Sequence, residues 1–231
     1  MADRQSVLIV GAGSGLSASL ARLGAREGMA VTLAARNVDK LTGLAKETGA
    51  KTIACDASDP AAVARLFAET DRAGTPDWVI YNASGRARGP IGELDPEAVR
   101  QAVLVSSYGA FLVAQQAASR MLKRGSGSIF FTGASASVKG YARSSAFAMG
   151  KFAQRGLAQA LARELAPQNI HVAHFVIDGG IGKADDPRAA GKSPDAMLDP
   201  DAIAASYLAI HRQHRSAWTW EIELRPWVES F

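Results

Sequence analysis

One feature narrows the fold of this chain more than any other: a glycine-rich turn between two different hydrophobic patterns. The apolar run Val7 to Val10 reads as a buried strand, and it stops at Gly11-Ala12-Gly13-Ser14-Gly15. From Ser14 to Glu27 the pattern is helical, with Leu16, Leu20 and Leu23 on one face. A strand that passes through clustered glycines into a helix aims unpaired backbone N–H groups at the space above the turn. Glycine there permits a tight turn and lets backbone approach a pyrophosphate. The glycines alone are a weak signal, and their place between first strand and first helix is what gives them weight.

The same alternation continues along the chain. Strands are expected at Ala30 to Ala34, Thr52 to Cys55, Trp78 to Tyr81, Ser128 to Thr132, Ile170 to Ile177 and Trp218 to Leu224. Between them lie helices at Asn37 to Glu47, with Asn37 as cap, and from Asp59-Pro60 to about Arg72, ended by Gly74-Thr75-Pro76. A long helix follows Asp95-Pro96 past Phe111 toward Met121, bent near Ser106-Ser107. Further helices are expected at Ser144 to Ala166, stopped by Pro167, and at Asp201 to His214. Gly179 to Pro200, rich in Gly, Pro, Asp and Lys, reads as a mobile loop. Strand–helix alternation means parallel strands joined by right-handed crossovers. The expected class is α/β: a Rossmann-type doubly wound parallel sheet of about seven strands with helices on both faces. No linker or repeat divides the 231 residues, so one domain over 1–231 is expected, with a substrate loop around 179–200.

Composition excludes several alternatives. Hydrophobic residues make up 48%, enough for a sizeable core. The net charge of +4 comes from scattered Lys and Arg, which argues against a nucleic-acid partner. The apolar run before Gly11 is too short for a signal peptide, and no stretch is long enough to span a membrane. The single cysteine, Cys55, excludes an internal disulfide, reads as a small core residue and fits a cytoplasmic location. His171 and His174, three apart on a strand, point to opposite faces and do not suggest a metal site. His211 and His214 read as exposed polar residues near a helix end. No G-x-S-x-G elbow is present, so a hydrolase is disfavoured. Trp218, Trp220, Trp227 and Phe231 load the C-terminal end with aromatic surface for core packing, a subunit interface or a pocket wall.

The second strand ends in Ala34-Ala35-Arg36. An acid at that point would bind the 2′-hydroxyl of NAD, whereas an arginine accommodates the 2′-phosphate of NADP. NADP(H) is therefore the expected cofactor, with NAD(H) as the alternative.

With these residues in place the chain resembles the short-chain dehydrogenase/reductase family over nearly its whole length. The family's T-G-x-x-x-G-x-G turn lines up with Val10-Gly11-Ala12-Gly13-Ser14-Gly15-Leu16-Ser17. Asp56 falls where the family's aspartate contacts adenine, and Asn82-Ala83-Ser84 matches its N-A-G. Asp178-Gly179-Gly180-Ile181 resembles the stretch whose backbone meets the nicotinamide amide. The resemblance implies cofactor contacts from Gly11, Gly13, Ser14, Gly15, Leu16, Arg36, Asp56, Asn82, Ala83, Lys151 and Ile181. It also implies a small-molecule substrate and a homodimer or homotetramer.

The family's chemistry rests on Asn, Ser, Tyr and Lys, with tyrosine and lysine as Y-x-x-x-K one helical turn apart. Here the segment reads Phe147-Ala148-Met149-Gly150-Lys151, and phenylalanine has no proton to give. The serine position falls on Ala134 with Ser135 next to it, and the asparagine position falls on Ser106. Lys151, Ser135 and Ser106 are thus the expected catalytic residues. The leading expectation is an NADP(H)-dependent oxidoreductase of a carbonyl or alcohol in which another group gives the proton. Tyr141, Ser135, Ser144, Ser145, Asp178 or a substrate-held water are the candidates. The alternatives are a non-catalytic dinucleotide-binding protein, such as a sensor or oligomer partner, and a lyase or epimerase.

Overall fold

The computed structural model describes residues 4–182 and 185–228. Seven parallel strands form one sheet in the order β3-β2-β1-β4-β5-β6-β7. They are β1 (Ser6–Val10), β2 (Ala30–Ala35), β3 (Lys51–Ala54), β4 (Trp78–Tyr81), β5 (Gly127–Thr132), β6 (Ile170–Ile177) and β7 (Glu221–Leu224). The order reverses between β1 and β4. Both strands end there in chemistry-bearing turns, which is where ligands bind in open parallel sheets.

Alternate side chains of the strands feed two apolar layers. Leu8, Val10, Val79, Tyr81, Ile129 and Phe131 pack with α3 (Pro60–Thr70), α5 (Gly109–Arg124) and α6 (Ser145–Leu165). Val7, Ile9, Leu33, Ile80, Phe130 and Phe175 pack on the other side with α1 (Leu16–Arg26) and α7 (Pro200–His211). Helices thus cover both faces, as the alternation of patterns requires. Among the described residues no helix is long and apolar enough to cross a membrane.

Several boundaries differ from expectation for local reasons. Helix α1 begins at Leu16 because Gly15 occupies the cap position. The helix expected from Asn37 is split. The Asn37 side-chain oxygen accepts from the Asp39 N–H, a short 3-10 turn spans Asp39–Leu41, and α2 covers only Thr42–Thr48. Helix α7 begins one residue early because Asp199, followed by Pro200, caps it through the Asp201 N–H. Trp218 to Trp220 lie outside β7. The Thr219 N–H donates to the Gln213 side-chain oxygen at 2.8 Å, and the Trp220 carbonyl accepts from the His174 N–H of β6 at 2.8 Å, where the β6–β7 pairing begins. The region expected as a mobile loop is pinned at its ends by a bridge between Ile181 and Leu198, and carries a 3-10 turn at Pro187–Ala189. Lys183 and Ala184 of that loop lie outside the described residues, as does Phe231.

The expected bend is a real irregularity. Helix α4 (Pro96–Val103) runs through one π-helical turn, Leu104–Tyr108, into α5. His211 corrects another expectation. It is not an exposed polar residue: its ring stacks on Trp78 at 4.6 Å and its Nδ1 meets the Ser128 hydroxyl at 3.0 Å. His214 is exposed and caps the turn Arg215–Ala217. His171 stacks on Trp218 at 4.6 Å, while His174 bonds Glu221 on the other face, so the two histidines share no ligand position. Trp227 is 77% exposed.

Candidate active site

The glycine turn is held from three sides. Gly11 and Ala12 donate to the Ala34 carbonyl at 2.9 and 3.0 Å. The Ser17 hydroxyl donates to the Gly11 carbonyl at 3.2 Å, and the Asn82 amide donates to the Ser17 oxygen at 2.7 Å. Ser17, where the family motif has glycine, thus links the turn to the end of β4. The three glycines have different physical reasons. Gly11 has φ +85°, and a Cβ there would come within 2.3 Å of the Ala83 nitrogen. A Cβ on Gly13 or Gly15 would meet no protein atom within 4 Å. Those two face open space, so the fold itself does not demand glycine there, whereas close approach of a ligand would. The free N–H groups opening α1 face the same end of the sheet.

A cavity of about 520 Å³ lies over this turn. Its walls include Gly11, Gly13, Ser14, Arg36, Asp56, Asn82 and Ala83, seven of the residues expected to contact a cofactor. Lys40, which sequence reading passed over, stands beside Arg36 in the same wall. Asp56 accepts from the Ser58 hydroxyl at 2.7 Å and the Ser58 N–H at 2.9 Å, and these bonds hold its carboxyl below the usual range. Cys55 also lines the cavity, and burial pushes its thiol up to about 11, leaving it protonated. Leu16 opens α1 next to the turn. Its side chain is buried in the core with α1, so only its backbone N–H can serve a ligand. An elongated polyanion with a flat aromatic end fits this cradle of open glycines, helix end and paired cations.

A second cavity, of about 630 Å³, adjoins the first, and Asn82 and Ser84 line both. It gathers Ser135, Tyr141, Phe147, Lys151, Asp178 and Ile181. Lys151 is 2% exposed. Its ammonium donates to the Thr132 carbonyl at 2.6 Å and to the Gln154 side-chain oxygen at 3.2 Å. Burial first, and the charge of Arg86 second, bring its pKa down to about 7. Phe147 lies one helical turn before it on α6 and in the same wall.

Ser106 stands elsewhere. Its side chain is fully buried, accepts from the Gly85 N–H at 2.9 Å and does not line this cavity. Its carbonyl accepts from the Gln154 amide at 3.2 Å. The expectation of Ser106 as a reacting group is therefore corrected: the π-helical turn directs it inward, and it supports the segment around Gly85. Ser144 and Ser145, at the start of α6, do not line the cavity either. Asp178 does, but its Oδ2 is paired with Lys139 at 3.3 Å and Arg225 at 3.4 Å. Arg86, Arg88, Arg188 and Gln154 were not singled out by sequence reading, because cations after a strand and a glutamine inside a helix resemble ordinary surface residues. Among the described residues, no group of His, Cys, Asp and Glu is arranged to hold a metal ion.

Comparison with known proteins identifies the family. The family model described as short chain dehydrogenase matches residues 5–182. A sepiapterin reductase of Chlorobaculum tepidum is 29% identical over 238 residues, covering 95% of each chain. An uncharacterized oxidoreductase of Mycobacterium tuberculosis is 30% identical over 242 residues, covering 97% of this chain and 94% of its own. A crystal structure of a short-chain dehydrogenase from Rhodopseudomonas palustris superposes with a TM-score of 0.83 at 34% identity, covering 96% of this chain and 99% of that one. A metagenomic short-chain oxidoreductase in complex with NADP gives 0.83 at 25% identity, covering 96% and 97%. The chain belongs to the short-chain dehydrogenase family and is an oxidoreductase of that type.

Proposed function

We propose that this protein is an NADP(H)-dependent oxidoreductase acting on a carbonyl or alcohol substrate, with an atypical active site in which Phe147 stands where the family's tyrosine is expected. The observation that carries this reading is the meeting of the two cavities at Asn82 and Ser84, with the glycine turn on one side and Lys151 beside Phe147 on the other. Arg36 and Lys40 supply cations for a 2′-phosphate, Asp56 an acceptor for adenine, and the open turn at Gly13 and Gly15 room for the pyrophosphate. Lys151 holds the ribose, and Ile181 and its neighbours border the nicotinamide. When bound, the nicotinamide supplies or accepts hydride.

The chain's own contribution is positioning and the proton. Phe147 fills the tyrosine's volume and keeps water from that side, but moves no proton. Of the protein groups considered as donors, Ser135 and Tyr141 have hydroxyls in the cavity wall, and Tyr141 is 47% exposed. Ser135, at the start of the turn after β5, is suited to hold a substrate oxygen. Tyr141, or a water held by the substrate, is left to exchange the proton.

The reading is tested by titrating NADPH and NADH against the protein's fluorescence, then following NADPH absorbance with a carbonyl panel. NADPH binding tighter than NADH, with oxidation that Lys151→Ala abolishes, is expected. Failure to bind either nucleotide overturns the proposal. Binding without oxidation of NADPH by any panel member favours the non-catalytic alternative.

A further inference from the structure

Arg86 and Arg88 stand two residues apart on the segment that follows β4, and both line the cavity that holds Phe147 and Lys151. The Arg86 guanidinium carbon lies 4.6 Å from the centre of the Phe147 ring. The negative face of an aromatic ring attracts a flat cation, and such stacking leaves the N–H edges of the guanidinium free. Among the described residues neither arginine has an acidic partner within ion-pair distance. The only carboxylate in the described wall, Asp178, is already matched by Lys139 and Arg225. Arg188 adds a third guanidinium, itself paired with Asp186.

The imbalance has an electrostatic consequence within the cavity. Burial and the neighbouring charge of Arg88 lower the Arg86 pKa, and Arg86 in turn lowers that of Lys151. Cations gathered in a concave wall create a positive potential that attracts an anion. Arginine is the side chain whose fork matches a carboxylate with two parallel hydrogen bonds. The phosphates of a dinucleotide do not account for this pair. Arg36, Lys40 and the glycine turn line the first cavity, whereas Arg86 and Arg88 line only the second.

We propose that Arg86, steadied on the Phe147 ring, and Arg88 bind a carboxylate of the substrate, so that the protein acts on oxo acids or hydroxy acids rather than on neutral carbonyl compounds. The inference rests on reading the second cavity as the substrate site. Phenylalanine at position 147 then has a positive use. Its ring is the shelf that orients the recognising arginine, and a carboxylate bound there fixes the substrate's carbonyl relative to Lys151.

The test uses protein saturated with NADP⁺ and three matched pairs: benzoylformate, levulinate and phenylpyruvate, each against its methyl ester. Calorimetry reads binding to this complex, and a separate assay supplied with NADPH in place of NADP⁺ reads reduction by its absorbance. At least one acid is expected to bind about 10- to 100-fold more tightly than its ester, the range of a charge-assisted pair. The double variant Arg86→Gln/Arg88→Gln should cut that preference to within about threefold, with NADPH affinity changed by less than about threefold. Arg86→Lys, which keeps charge but loses the fork, should fall between. Esters that bind as well as the acids, no binding of any acid, or about a tenfold loss of NADPH affinity in the double variant would each overturn the proposal. Acids that bind through the arginines without consuming NADPH would support the carboxylate site and overturn the claim that the protein reduces these acids.

Discussion

The side-chain oxygen of Gln154 accepts a hydrogen bond from the Lys151 ammonium at 3.2 Å. Its amide nitrogen donates in the other direction, to the Ser106 carbonyl, so one fully buried glutamine joins the lysine of the candidate site to the irregular turn above it. Gln154→Leu removes both bonds and leaves a buried carbonyl and a buried ammonium each short of a partner. Such groups cost about 1–3 kcal/mol each. Urea unfolding should show a loss of about 2–6 kcal/mol for the two together, with Gln154→Glu recovering part of it by facing the ammonium. A Leu variant as stable as the parent would show that the bridge does not hold Lys151.

Burial of Lys151 makes stability depend on pH. Its pKa is about 7 in the folded chain against an ordinary value of 10.5. Between those values the unfolded chain binds the proton and the folded chain does not, so stability rises with pH across that window and is flat below it. The difference in unfolding free energy between the parent and Lys151→Met should therefore grow by up to about 5 kcal/mol from pH 6 to pH 11 in favour of the parent. Equal pH slopes for the two proteins would contradict the buried, neutralised lysine.

The glycines of the first turn separate folding from binding. Gly11→Ala puts a Cβ into Ala83 at a backbone angle that disfavours side chains, and should lower the melting temperature clearly. Gly13→Val points into open space and should leave the melt nearly unchanged while weakening NADPH binding at least tenfold, measured by fluorescence titration. Unchanged NADPH affinity in Gly13→Val would place the pyrophosphate elsewhere.

Cofactor choice should follow the cations of the first cavity. Arg36→Ala together with Lys40→Ala removes both from the wall. NADPH affinity is expected to fall about 10- to 100-fold and NADH affinity to change little. Parallel losses for both nucleotides would mean that these residues do not read the 2′-phosphate.

Phe147→Tyr restores a hydroxyl one helical turn from Lys151. If geometry is inherited, neutral carbonyl substrates should be reduced faster by as much as about 10²–10⁴-fold, the usual range for a positioned proton donor. The readout is kcat for NADPH oxidation. A fall in activity would show that the native proton path depends on the bare ring.

The fold was open to sequence reading because the central strands β4 and β6 are buried through their length and the crossover helices carry their own start signals, the Asp-Pro pairs at 59–60 and 95–96 being the clearest. What escaped were contacts made across the chain. His211 carries no sign in its own segment that Trp78, far away in sequence, will cover its ring. Ser106 matched a motif position, yet its side chain is engaged with Gly85. Arg86 looks like any cation after a strand until Phe147 is found beneath it. Periodicity reports which face is buried, whereas these roles depend on which neighbour arrives from another element.

The π-helical turn at Leu104–Tyr108 can also be seen as an arithmetical device. A turn closed by i→i+5 bonds accommodates one residue more than an α-helical turn. The turn absorbs that surplus residue locally, so α5 keeps the phase set by α4. Removing one of the five would close the turn into ordinary α-helix and leave Val113, Ala117 and Met121 facing the sheet. The Ser106 carbonyl would return to its own helix and release Gln154. At this point a deletion of one residue would spare the packing of α5 and take away the bridge to Lys151, because the count along the helix, as well as the side chains, encodes where the site is built.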